Sequence, residues 1–343
     1  MGIKVKDLAK ILNLSASTVS LVLNNRPGIS ETTRGRVLQA VKDLGYEELL
    51  TVEREDKKRF LFVVYRKYGT APEVSPYFSP LFSEIMEGVE SQIKARGYNL
   101  MVSYIDEKSE GTEIEKIRNE NVEGILILAT DMREDQITAF ENINVPVVIL
   151  DNYMEHKEFN CITINNEKGV YEAVKHLADM GHKRIGYLHV MNNAWNFSER
   201  YFGYLRAAGI CGLYIERENI FEITSYGSDL VYRELKDMLK EKENLPTAFF
   251  ADNDIVAICA LRAFKELGYK IPEDISIIGF DNMALSEMSD PPLTTVQVPK
   301  HRIGVIAANT IIDMNKDEPG IMKIEAGTSL IIRKSVKRVN GAQ

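Results

Sequence analysis

Apolar positions near the start of the chain recur with helical spacing. Val5, Leu8, Ala9 and Leu12 stand at i, i+3, i+4 and i+7, which predicts an amphipathic helix of two to three turns. Asn13-Leu14 interrupts the stripe, and Ser15 stands where an N-cap belongs. A second helix follows, with Val19, Val22 and Leu23 on one face and Ser17, Thr18 and Leu21 on the other. The breaker cluster Asn24-Asn25-Arg26-Pro27-Gly28 ends it. Ser30 can then cap a third helix, with Val37, Leu38, Val41 and Leu44 inside and Gly45 at its end. Helices this short can hide their apolar faces only against one another, which leaves the polar face of the second free to lie in a DNA major groove.

From residue 60 the period changes. The apolar runs FLFVVY, YNLMVSY, GILILA and PVVIL alternate with helical stretches at 80–96, 112–120 and 134–142. A second series, CITI, RIGYLHV, FEITSY, TAFFA and ISIIGF, alternates with helices at 166–180, 197–209, 229–241 and 254–267. Such alternation predicts doubly wound parallel sheets in two α/β lobes. The expected organisation is a helix-turn-helix domain at 1–46, a linker at 47–59, and an effector-binding and dimerisation domain at 60–343. Within the last, the N-lobe is expected at about 60–160 and 292–320 and the C-lobe at about 161–291 and 321–340. Facing lobes of this kind bind ligands beyond the carboxyl ends of their strands.

Charge sharpens this division. The whole chain of 343 residues carries −8, which reads against nucleic acid until it is split. Residues 1–46 hold seven basic residues (Lys4, Lys6, Lys10, Arg26, Arg34, Arg36, Lys42) and three acidic ones (Asp7, Glu31, Asp43), a net of +4 that leaves −12 for the remainder. A basic head on an acidic body suits a DNA-binding module joined to a sensor. Neither a leader-like apolar run nor a stretch long enough to span a bilayer occurs, so a cytoplasmic protein is expected. Cys161, Cys211 and Cys259 are odd in number and lack metal-ligand spacing, so no disulfide, metal or cofactor is expected. The dinucleotide glycine pattern, the phosphate loop, the nucleophile elbow and paired histidines are missing, which argues against an enzyme.

The run VKDLAKILNLSASTVSLVLNNRPGISETTRGRVLQAVKDLGY resembles the headpiece of the lactose/galactose repressor family of bacterial regulators. The likeness is carried by Lys6-Asp7-Leu8-Ala9, Ser15, Thr18-Val19-Ser20, Leu23-Asn24, Ser30, Thr33-Arg34 and Leu44-Gly45-Tyr46. It extends to the periplasmic-binding-protein-like core through Asn253-Asp254, PEDISIIGFDN, PPLTTVQVP and LIIRKS. The resemblance implies that Ala16 and Ser17 begin the recognition helix and that Leu21 holds the third base-reading position. Leucine there offers apolar contact, for instance to a thymine methyl, where many relatives carry arginine. Ser15, Thr18, Ser20 and Asn24 would hold phosphates, aided by Lys4, Lys6 and Arg34; capping is the alternative role for Thr18 and Ser20. In the family the linker folds on DNA and wedges a leucine into the minor groove. Here Glu55 falls at the wedge position, so either Leu49-Leu50 take over or, as we favour, the operator is not kinked.

For the effector, the resemblance points to Arg200, whose fork suits vicinal hydroxyls or a carboxylate, and to the polar pair Asn253 and Asp281. Capping is the alternative for Asp281. Phe82 is a candidate to stack on a ligand ring, with core packing as the alternative. Asp151 ends the strand PVVIL, but Asn152 follows where relatives often carry arginine. Trp195, the only tryptophan, lies in a polar loop suited to stacking on a sugar. The chain is thus expected to be a dimeric repressor whose grip on operator DNA follows a small molecule, a sugar or sugar derivative, that alters the angle between lobes. No leucine heptad follows the last strand, so no tetramer is expected. A regulator controlled by a partner protein, and a solute-binding protein without a DNA role, are the rival readings.

Overall fold

The computed structural model describes residues 5–23, 26, 28–46, 58–66, 80–108, 110–192, 194–225, 227–314 and 320–339. Two compact units are present, Met1–Lys58 and Arg59–Gln343. In the first, α1 (Val5–Leu12), α2 (Ala16–Leu23) and α3 (Glu31–Asp43) enclose a small core. Leu8, Val19, Val37 and Val41 are fully buried in it, joined by Ala9, Val22 and Leu23. Leu44, expected inside, lies on the surface just past α3, where its N–H closes the helix on the carbonyl of Ala40. Ser30 caps α3 by accepting from the Thr33 N–H, satisfying a donor that the first turn would otherwise leave unpaired.

The second unit holds two six-stranded, mostly parallel sheets. The first contains β1 (Arg59–Arg66), β2 (Asn99–Asp106), β3 (Gly124–Leu128), β4 (Val147–Leu150) and β5 (Asn160–Ile164), and takes its last strand from β11 (Lys323–Ala326). Its order is β11-β5-β4-β3-β1-β2. The second contains β6 (Ile185–Val190), β7 (Ile220–Ile223), β8 (Ala248–Ala251), β9 (Ser276–Asp281), β10 (Thr294–Gln297) and β12 (Ser329–Ile331), ordered β12-β10-β9-β8-β6-β7. All pairings are parallel except β10 with β12. Helices α4 (Pro80–Ala95) and α12 (Lys300–Met314) cover one face of the first sheet, with α5 (Glu110–Arg118) and α6 (Glu134–Ile137) on the other. Helices α7 (Asn166–Asp179) and α8 (Trp195–Ile210) cover one face of the second, with α9 (Ser228–Glu241) and α10 (Asp254–Glu266) on the other. Because both faces are covered, the strands read as continuous apolar runs, with every residue of β3, β4, β5, β6 and β8 buried.

The lobe boundaries differ from those expected. CITI was expected to open the second lobe, but it lies in β5 and pairs with β4 in the first sheet. Residues 292–298 were expected in the first lobe, yet β10 pairs with β9 in the second. Residues 323–326 were expected in the second lobe, and β11 pairs with β5 in the first. The chain therefore crosses between lobes three times, after β5, β10 and β11, and one continuous core of buried residues runs through the crossings from Phe60 to Phe280.

Candidate functional site

In the headpiece, α2 starts at Ala16 and turns its valines inward, so Ala16, Ser17 and Leu21 lie exposed on the opposite side. The Ser15 hydroxyl accepts from the Thr18 N–H at 3.0 Å, and its oxygen lies 2.7 Å from both the Ser17 and Thr18 hydroxyls. Thr18 thus takes part in the cap itself, the alternative reading, while its hydroxyl remains at the exposed helix start. Lys6 is exposed, and Ser20 is half-buried. Arg34 donates to the Arg26 carbonyl at 2.6 Å, which ties the α2–α3 loop to α3 and makes it more than a surface charge. Lys4, Asn24, Leu49, Leu50 and Glu55 lie outside the described residues, and with them the question of the wedge.

In the larger unit, polar side chains gather where the strands of the two sheets end. Asp151 follows β4 at φ 62°, and Asp281 ends β9 at φ 102°, backbone conformations that side-chain-bearing residues seldom adopt. Asp151 is 2% exposed; its carboxylate accepts from the Thr130 hydroxyl (2.6 Å) and from Asn196 Nδ2 (2.9 Å). Asn196 Oδ1 in turn accepts from Asn166 Nδ2 (2.7 Å), and Asn166 Oδ1 accepts from Arg200 Nε (2.9 Å). The other guanidinium nitrogens of Arg200 donate to the Asp252 carbonyl and to Asp281 Oδ1 (3.2 Å), and its Cζ lies 3.8 Å from the centre of the Phe280 ring. An unbroken chain of hydrogen bonds therefore links Thr130 and Asp151 of the first lobe to Arg200 and Asp281 of the second.

Beside it, the fully buried Asp252 accepts from the Tyr187 hydroxyl, from His189 Nδ1 (2.8 Å) and from the Val190 N–H (2.6 Å). Asp254 accepts from the Thr295 hydroxyl and the Met283 N–H. Lys300, 1% exposed at the start of α12, donates to Glu84 of α4 (3.0 Å) and to the Asn282 carbonyl (3.3 Å), again joining the lobes. Burial pushes the Asp151 carboxyl up to about 6, against the pull of Thr130, Asn196 and Arg200. Burial likewise raises Asp254 to about 7, and raises Asp281 despite Arg200 and Lys300. Four aspartates near two buried cations leave the site with more acidic than basic side chains. Its chemistry suits hydroxyl or N–H groups better than another anion.

Of the expected effector residues, Asp151, Arg200 and Asp281 are brought into this one network. Asp281 ends a strand and receives Arg200, and the short helix that follows, α11 (Ala284–Met288), has no side-chain cap. Asn253 is not part of the network. Its side chain caps α10 by accepting from the Val256 N–H at 2.9 Å, because the first turn of that helix needs an acceptor there. Phe82 is 5% exposed and packs with Phe62 in the core, since α4 turns this apolar position onto the sheet; the packing alternative describes it. Trp195 stacks on Tyr153 (5.3 Å, 15°) and lines a cavity whose wall does not include Arg200, for it lies one position round the helix from Asn196. Asn166, Asn196, Asp252 and Lys300 were not anticipated. For Asn196 a signal existed, its position one helical turn before Arg200 on the same face.

A helical headpiece joined to two facing parallel-sheet lobes with a polar seam defines a DNA-binding regulator with a sensing core. Residues 4–48 match the model of bacterial regulatory proteins of the lacI family, and residues 174–336 match a periplasmic binding protein-like domain. The chain is 33% identical over 339 residues to an HTH-type transcriptional repressor PurR of Aliivibrio salmonicida, covering 98% of this chain and 99% of that one. A repressor of the same name from Mannheimia succiniciproducens is 32% identical over the same span. Among solved structures, the lac repressor dimer bound to operator and the anti-inducer ONPF superposes with a TM-score of 0.71 at 22% identity over 98% of this chain and 100% of that one. A CelR–cellobiose complex gives 0.72 at 22%, covering 97% and 99%. These last two establish the fold. The chain belongs to the lacI family of bacterial regulatory proteins; it is a DNA-binding transcriptional regulator and not an enzyme.

Proposed function

We propose that this protein is a dimeric repressor whose affinity for operator DNA is set by a small neutral molecule, a sugar or sugar derivative, held between the lobes at Arg200, Asp281 and Asp151. The observation that carries the reading is the cross-lobe chain Thr130–Asp151–Asn196–Asn166–Arg200–Asp281. A ligand whose hydroxyls donate to Asp151 and Asp281 competes for acceptors on both sides of the seam, so its binding free energy differs between lobe arrangements. Only that difference shifts the population, and about 1–3 kcal/mol is enough for a useful switch. The ligand classes in related structures, cellobiose with CelR and ribose with a regulator from Enterococcus faecium, support the same chemistry. A second copy of the chain supplies the second headpiece, because one alone meets too few phosphates for tight binding.

A thermal-shift screen tests this with sugars, nucleosides and phosphorylated sugars on the full chain. A neutral polyhydroxy compound is expected to raise stability by about 2.7 kcal/mol at 100 times its dissociation constant, and Arg200→Lys is expected to abolish the shift. If phosphorylated sugars alone stabilise the protein, the charge argument fails. If nothing in the screen does, control by a partner protein becomes the better reading.

A further inference from the structure

A cavity of about 470 Å³ lies apart from Arg200 and Asp281, between α7, α8 and the edge strand β11. Positions 195, 199 and 206 of α8 face it, while Asn196 and Arg200, on the neighbouring stripe of the same helix, face the cross-lobe network. Its walls carry the Trp195 indole, the Tyr171 ring and the carboxylates of Glu167, Glu199 and Glu325. Two cations also line it, but both are already engaged: Lys168 with Glu172 and the Thr328 carbonyl, and Arg206 with Glu167. Glu325 accepts from Asn165. Among the described residues Glu199 alone of these charges has no hydrogen-bond or ion-pair partner. It is half-buried, and burial together with the neighbouring Glu325, Glu167 and Glu155 pushes its pKa up. A half-buried carboxylate with three others near it, beside a tryptophan face, is an unfavourable arrangement that a cation would relieve.

We infer that this cavity is a second binding site, for a small organic cation, an amine carried on an apolar or aromatic body. The ammonium group bonds to Glu199 and the body lies against Trp195 and Tyr171. Glu325 belongs to the first sheet and Glu199 to α8 of the second lobe, so an occupant that reaches both holds the lobes in their present arrangement. Neither Arg200 nor Asp281 lines the cavity, although Asn166 of the cross-lobe network forms part of its wall.

The single tryptophan of the chain stands in the wall and reports occupancy directly. Titration of the full-length protein with phenethylamine is expected to give a saturable change in Trp195 emission, and the neutral isostere phenethyl alcohol is expected to give none. Glu199→Gln should raise the dissociation constant for the amine about tenfold or more, as loss of a charge-assisted hydrogen bond does. Glu325→Gln should weaken binding in the same direction, and Arg200→Lys should leave it unchanged. Calorimetry on the same pair of compounds covers an occupant that leaves the emission untouched. An equal response to amine and alcohol, no heat and no emission change with either, or an affinity lowered by Arg200→Lys but not by Glu199→Gln would each overturn the assignment.

Discussion

At the scale of single residues, Asp151 shows how much of the site's behaviour is electrostatic. Its carboxyl is raised to about 6 by burial, against an ordinary value near 3.9. A raised folded-state pKa means that stability is fully present below about pH 4 and is lost as pH rises through 6. Asp151→Asn is therefore expected to flatten the pH dependence of unfolding free energy between about pH 4 and pH 6, by on the order of 2 kcal/mol relative to the parent. Parallel curves for the two proteins, followed by denaturant melts, would show Asp151 to be ionised throughout. Arg200 and Asp281 were legible in the sequence because each stands at a fixed offset from a recognisable string. Asn166, Asn196 and Asp252 were not, since their meaning arises only when two lobes meet, and a lysine opening a helix, such as Lys300, ordinarily reads as solvated. Phe82 was misjudged toward the ligand because periodicity cannot tell which apolar residue of a first turn faces a sheet and which faces a cleft.

Among elements, the crossing of α4 over α12 brings two helix backbones close together at glycines. A methyl group on Gly304 would sit 2.1 Å from the Ile85 carbonyl oxygen, and one on Gly88 would sit 2.1 Å from that of His301. The two glycines let each helix rest against the other's main chain. Gly304→Ala is expected to destabilise the protein by about 1–3 kcal/mol, since the overpacking cost exceeds the gain in helix propensity. Gly35→Ala in α3 meets no atom within 4 Å and should be neutral or slightly stabilising. Thermal melts of both variants check the pair, and equal midpoints would mean that the α4–α12 crossing is loose. Helix positions and strand runs were readable from the sequence in both series. Sheet membership was not, because which edge a strand joins is a matter of pairing between distant segments: CITI and KIEA carry no local mark of lying beside each other, yet they form β5 and β11.

For the whole molecule, the division of charge matters most: a head of +4 on a body of −12 keeps the duplex at the headpiece and away from the lobes. Lys6→Ala should weaken binding to all duplexes alike and lower the salt slope by about one. Leu21→Ala should instead alter which duplex is preferred, because its exposed side chain can touch bases but cannot hold phosphate. Selection of bound genomic fragments across a salt series separates the two; identical profiles for both variants would refute the placement of α2 in the groove. The three lobe crossings carry a further implication for biosynthesis. Each sheet receives its final edge strand from the segment that follows α12, β11 for one and β12 for the other. Neither lobe can be completed until residues 323–331 have been made, and until then both β5 and β10 keep an open edge ready to pair with a neighbouring nascent chain. A ribosome stalled short of Lys323 would hold out two unfinished sheets, and a nick late in the chain would unfasten both halves of the sensor together.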